Sequence, residues 1–113
     1  MEVAPEDELD EVFRALAEPR RRQILRLVSH FELAAGEIAG TFEVSRTAVS
    51  QHLTVLKNAG LLDERRDGTR RFYRARRDGL VALRAFLEDM WSDSLDVARA
   101  LVERDAGEQR RAG

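Results

Sequence analysis

Apolar positions recur along this chain at helical spacing, then at strand spacing, then at helical spacing again. Leu9, Val12, Phe13 and Leu16 fall three and four residues apart, which predicts a first helix over about 7–17. Its acids Glu6, Asp7 and Glu8 stand near the N-terminal end, where the helix dipole favours negative charge. Residues 1–5 read as a loose tail. Pro19 closes the first helix and suits the first turn of a second. Ile24, Leu25, Leu27, Val28 and Phe31 give that second helix a wide apolar face, to about Ser29. Residues 31–35 read as a connection with a few extended residues. A third helix is expected over about 35–42. A fourth starts after Ser45, a good N-cap, and runs to about 59, with Gly60 as its left-handed stop.

The pattern then changes. Leu61–Arg66 and Thr69–Arg74 flank Asp67-Gly68, and a two-residue Asp-Gly loop between extended runs predicts a β-hairpin with a type I′ turn. Arg65, Arg66, Arg70 and Arg71 crowd its tip. Over 78–104 the helical period returns: Leu80, Leu83, Leu87, Met90, Val97 and Leu101 keep a 3-4 spacing broken only at Ser94. Trp91, Leu95, Ala98 and Val102 form a second, adjacent stripe. Two stripes on one helix are more than a single small domain covers, which points to two protomers sharing them; the alternative is one wide core-facing helix. From about Ala106 the chain is expected to fray. The whole reads as one domain over 1–113, ordered over about 7–104, mainly α with a β-hairpin wing.

The most informative stretch is GEIAGTFEVSRTAVSQHLTVLKNAG, residues 36–60. It reads as a short helix, a tight turn and a second helix. Ala39 sits where two helices approach closely, and Val44, Val49 and Leu53 are placed to lock the pair. Arg46, Thr47, Ser50, Gln51, Thr54 and Lys57 are left outward. These side chains donate and accept hydrogen bonds and are short enough to enter a DNA groove, and a helix-turn-helix puts such a helix in the major groove. Gln51 suits bidentate pairing with adenine, and Arg46 suits guanine or a phosphate. Charge at the hairpin tip suits phosphates or the minor groove, the favoured reading; protection of an exposed strand edge is the alternative, and both can hold.

Composition sharpens this picture. The net charge of −2 hides a segregation: residues 1–18 carry −6, residues 19–77 carry +7 and residues 78–113 carry −3. A basic middle between acidic ends suits one face meeting a polyanion. Arg20, Arg21 and Arg22 open the second helix at the positive end of its dipole, so they need either DNA backbone or the acidic first helix as partner. There is no Cys, so no disulfide and no thiolate metal site. His52 reads as a packed or phosphate-bonded imidazole, and Asp89, Asp93 and Asp96 as a solvated face. No cofactor, metal site or catalytic constellation is expected. No stretch approaches the roughly 20 apolar residues that span a bilayer, so a cytoplasmic protein is expected.

With these elements placed, the chain resembles the ArsR family of bacterial winged-helix transcriptional regulators. The resemblance is carried by LDEVFRALAEPRRRQIL at 9–25, GEIAGTFEVSRTAVSQHLTVLKNAGLL at 36–62 and RRDGTRRFYR at 65–74. It implies a winged helix-turn-helix that dimerises through its first and last helices and represses transcription by occupying operator DNA. On this chain the implied interface residues are Leu9, Val12 and Phe13 with Leu87, Met90, Trp91, Leu95, Ala98 and Val102. The implied partners are double-stranded DNA and a second copy of the chain. Two rival readings stand beside it: a sensor with an effector between the terminal helices, and a winged helix used for protein contacts alone. The chain departs from the family pattern at three points. Glu43 stands where the turn often carries Gly. Ala34 and Ala35 stand where a Ser or Thr cap is common, so the third helix is expected to begin raggedly. Finally, the family's metal-sensing Cys clusters, or late His and carboxylates, have no counterpart in a chain without Cys and without His beyond position 52.

Overall fold

In a computed structural model, residues 5–112 are described, with side chains from Glu8 to Gln109. The elements are α1 (Pro5–Ala17), α2 (Pro19–Val28), β1 (Leu33–Ala34), α3 (Ala35–Phe42), α4 (Arg46–Asn58), β2 (Leu62–Asp67), β3 (Arg70–Ala75) and α5 (Arg77–Ala112). The chain divides into two compact units, Met1–Leu83 and Arg84–Gly113.

The first unit owns the core. Val12 and Ala15 of α1, Ile24, Leu25 and Val28 of α2, Ile38 and Ala39 of α3, and Val49, Leu53 and Leu56 of α4 are all buried. Leu61, Leu62 and Tyr73 bring the sheet against them, and Leu80 and Leu83 pack on the same cluster from the start of α5. Spacings of three, four and seven in α1, α2 and α4 put these residues on one face of each helix. The sheet is antiparallel in the order β1-β3-β2. The short β1 pairs Leu33 with Tyr73 and Ala34 with Phe72, so the predicted extended residues of the connection become a third strand that anchors the hairpin.

Three local expectations need correction. The hairpin turn lies one residue later than predicted: Asp67 pairs with Arg70, leaving Gly68-Thr69 as the loop. Gly68 is in the positive-φ region at 63°, and Asp67 and Thr69 are not, which is the φ pattern of a type II′ turn rather than type I′. A glycine at the first loop position supplies the one left-handed residue that this turn requires. Phe31 does not belong to the apolar face of α2. The helix ends at Val28, and Phe31 lies beyond it at 60% exposure as the chain turns towards β1. The last helix does not stop near Ala106; it continues to Ala112, with Arg104 and Glu108 paired one turn apart.

Helix ends are closed by named groups. The Leu61 N–H donates to the Leu56 carbonyl across Gly60 (φ 76°), which stops α4 as expected. Ala34 offers no side-chain oxygen to cap α3. The Glu37 carboxylate instead accepts from the Ala34 N–H at 3.1 Å, the reciprocal half of a capping box, so α3 begins cleanly rather than raggedly. Arg21 and Arg22 turn to the opposite end of α1. Arg21 Nε donates to the Ala15 carbonyl at 2.6 Å and its Nη2 to that of Arg14 at 3.0 Å, while Arg22 Nη1 donates to that of Leu16 at 2.7 Å. These carbonyls are unpaired acceptors at the negative end of α1, so the cations find partners that are neither DNA nor acidic side chains. Arg20 pairs with Gln23 and lies over the Phe42 ring.

The second unit is the remainder of α5. Among its described residues every large apolar side chain is exposed, with Trp91 and Val102 each at 67%. No helix among the described residues is long and apolar enough to cross a membrane.

Candidate nucleic-acid interface

Helix α4 divides cleanly into two faces. Ser45 Oγ accepts from the Ala48 N–H at 3.1 Å and fixes the start of the helix. Val49, Leu53 and Leu56 point into the core, and Arg46, Thr47, Ser50, Gln51, Thr54 and Lys57 are all exposed on the other side. His52 is half-buried between the two faces, as a packed imidazole would be. The Thr54 hydroxyl is not idle: it donates to the Ser50 carbonyl at 2.9 Å, which leaves its oxygen outward as an acceptor. The approach to α4 is set by Glu43, which adopts φ 55° and ψ 39°, and by the Val44 N–H bonded back to Ala39.

A cleft of about 500 Å³ separates α4 from the wing. Arg46 and Ser50 line one wall, Thr69, Arg70 and Arg71 the other, and the start of α3 closes the end. Arg46 lies directly over Gly36, where a Cβ would come within 3.2 Å of its Nη1. Of the residues predicted to meet DNA, these four – Arg46, Ser50, Arg70 and Arg71 – share one cleft. Thr47, Gln51, Thr54 and Lys57 lie on the exposed face of α4 outside its lining.

Strand alternation sorts the wing cations. Arg66 and Arg71 are cross-strand partners and share a face with Glu64 and the buried Tyr73. Arg65 and Arg70 share the opposite face with Phe72, and both guanidiniums pack on its ring, at 4.8 and 4.9 Å from the centroid. Two cations on that second face, Arg65 and Arg70, each have an acid of their own. Arg65 is bonded through Nε and Nη2 to Glu32, and Arg70 to Glu37 at 3.3 Å. The hydrogen bond from Arg65 holds the Glu32 carboxyl below its ordinary pKa, and the same bond raises that of Arg65.

On the first face one carboxylate serves three cations. Glu64 accepts from Lys57 at 3.0 Å and lies 3.6 Å from Arg71 and 4.0 Å from Arg66. The Lys57 hydrogen bond, with Arg71 and Arg66 nearby, lowers its pKa. Sequence reading singles out the cations and misses these acids. The one usable signal is the alternation that puts Glu64 and Arg66 on one strand face; the reach of Glu32 and Glu37 to residues 33 positions away has none.

The residues expected at a dimer interface are distributed unevenly. Phe13 is 41% exposed and Leu9 half-buried, but Val12 is packed in the core of its own unit. Leu87, Met90, Trp91, Leu95, Ala98 and Val102 are all exposed on α5.

Comparison with known proteins places this geometry among DNA-binding regulators. The family model for the bacterial regulatory protein, arsR family, matches residues 18–64, from the start of α2 through α4 into β2. The HTH-type transcriptional regulator Rv2034 of Mycobacterium tuberculosis is 44% identical over 96 residues, which cover 85% of this chain and 90% of the relative. The transcriptional repressor SdpR of Bacillus subtilis is 37% identical over 65 residues, covering 58% and 72%. The solution structure of a homodimeric winged helix-turn-helix DNA-binding domain from Mycobacterium bovis, described as a possible ArsR-family regulator, superposes with a TM-score of 0.63. It is 36% identical and covers 80% of this chain and 83% of its own.

Proposed function

Because the chain belongs to the ArsR family of DNA-binding transcriptional regulators, we propose that it is a cytoplasmic, homodimeric repressor that reads a near-palindromic operator. The observation that carries this reading is the exposed polar face of α4 standing across one cleft from the arginine-bearing wing. Thr47, Ser50 and Gln51 lie in the N-terminal half of α4, the part that meets base edges in a helix-turn-helix, and Arg46 reaches a guanine or a phosphate from the same end. Thr54 and Lys57 follow the groove further along. Arg66 and Arg71 take phosphates from the wing, and Arg65 and Arg70 join them by exchanging Glu32 and Glu37 for the nucleic acid. Repression follows from occupying promoter DNA, in line with the SdpR relative, a transcriptional repressor.

Selection of bound sequences from a random duplex library identifies the operator. A Ser50→Ala, Gln51→Ala variant is expected to keep its fold and its salt-dependent affinity for arbitrary duplex while losing operator preference, since base contacts specify and phosphate contacts do not. Undiminished preference in that variant would move base reading to other residues. Failure of the parent to bind duplex DNA in a salt-dependent way would remove the proposal altogether.

A further inference from the structure

The three cations where α4 meets the wing, Lys57, Arg66 and Arg71, are under-compensated. Arg66 and Arg71 stand directly opposite each other in the hairpin, an arrangement that destabilises a sheet unless an anion lies close by. Lys57 approaches the same point from the last turn of α4. Among the described residues Glu64 is the sole carboxylate within 4.0 Å of any of them, so three positive charges share one negative charge. The Glu64 side chain is only 14% exposed while its partners are 51–68% exposed, so the acid is fixed and the cations are the mobile members. By contrast, on the opposite face Arg65 and Arg70 do not share a carboxylate: Arg65 has Glu32 and Arg70 has Glu37.

We propose that Glu64 is a built-in competitor for DNA phosphate: in the free protein its carboxylate occupies the anion position between α4 and the wing, and it lowers affinity for duplex of any sequence. The inference rests on the reading that Lys57 and Arg71 contact the DNA backbone. A phosphate arriving at Lys57 and Arg71 has to exchange with, or share, a carboxylate that cannot leave. A cation held by an internal acid releases fewer counterions on binding, so it contributes less to affinity and to its salt dependence than a free one. Binding energy then depends more heavily on base contacts by α4, and the protein is not retained on arbitrary DNA by its wing.

The test uses the full chain, a random duplex and, once selected, the operator. Glu64→Gln keeps the size of the side chain and an oxygen to accept from Lys57, and removes the charge. With one more DNA phosphate neutralised, affinity for random duplex at about 0.15 M salt is expected to rise about fivefold, and the slope of log affinity against log salt to steepen by about one. Affinity for the operator should rise by no less. Adding Lys57→Ala and Arg71→Ala to the variant should erase most of the increase, since the effect runs through the two cations nearest the carboxylate. Arg71→Ala alone separates the two layers of argument. If it leaves affinity and slope unchanged, the wing-contact reading fails. If it weakens binding while Glu64→Gln leaves affinity unchanged or lower, Glu64 organises the cations rather than competing for them, and the inference is overturned.

Discussion

Glu43 is held at φ 55° and ψ 39°, the single non-glycine residue with positive φ among those described. The left-handed region costs an L-residue with a Cβ roughly 1–2 kcal/mol, because Cβ crowds the following carbonyl. The geometry is imposed from both sides: α3 must end there, and α4 must start two residues later at Ser45 to present its polar face. A glycine would remove the crowding but adds conformational freedom to the unfolded chain, which takes back roughly 0.4–1 kcal/mol. The balance predicts that Glu43→Gly stabilises the protein by about 0.5–1 kcal/mol in urea unfolding, with DNA affinity nearly unchanged. Glu43→Val, branched at Cβ, should be destabilising. A neutral or unfavourable Glu43→Gly would mean that the glutamate side chain supplies a stabilising contact of its own.

At the scale of elements, the α1–α2 joint shows how a charge cluster can be structural. Arg21 and Arg22 donate to three unpaired carbonyls in the last turn of α1, at the end where its dipole is negative. Hydrogen bonds from a charged donor are worth more than neutral ones, and these are only partly screened, so Arg21→Ala should cost about 1–2 kcal/mol of stability. The salt slope of DNA binding should stay unchanged, because this guanidinium is already engaged inside the protein. A flattened slope with unaltered stability would instead make Arg21 a backbone contact. This is also where sequence reading meets its limit. Periodicity locates α1 to α4, the hairpin and the start of α5 because burial of a face imposes a period that the residues must obey. Ser45, Gly60 and Glu43 are legible because caps and left-handed residues are local events. The Arg21 and Arg22 partners, the third strand pairing with Phe72 and Tyr73, and the acids behind the wing cations depend on where distant segments meet, which no local pattern encodes. The one-residue slip of the hairpin turn has the same origin: Asp-Gly and Gly-Thr both accept a tight loop, and both registers keep Leu62 and Tyr73 on one face, so the alternation along the strands does not choose between them.

At the scale of the whole molecule, the two units differ in kind. The first has a closed core built from every one of its elements, whereas the second leaves Leu87, Met90, Trp91, Leu95, Val97, Leu101 and Val102 exposed along α5. An apolar surface of that extent on a single helix marks an interaction site rather than a solvated face. The Mycobacterium bovis neighbour is homodimeric, and with the proposed homodimer the occupant is a second copy, for a reason that is arithmetic. In the proposed dimer one α4 and one wing would cover a half-site; a twofold pair would place two of them about one turn of DNA apart, roughly 34 Å, and the second half-site would bind at an effective concentration near millimolar. Trp91 is 67% exposed in the protomer, so replacing it with aspartate should leave the first unit folded while burying a charge in any α5–α5 contact. Trp91→Asp is expected to sediment as a monomer with the parent's helical content, and to lose operator affinity by about a hundredfold or more while keeping the weak affinity of one half-site. Sedimentation at the dimer mass with operator binding intact would show that α5 meets its partner through other residues, and the exposed stripe through Trp91 would then need a different occupant.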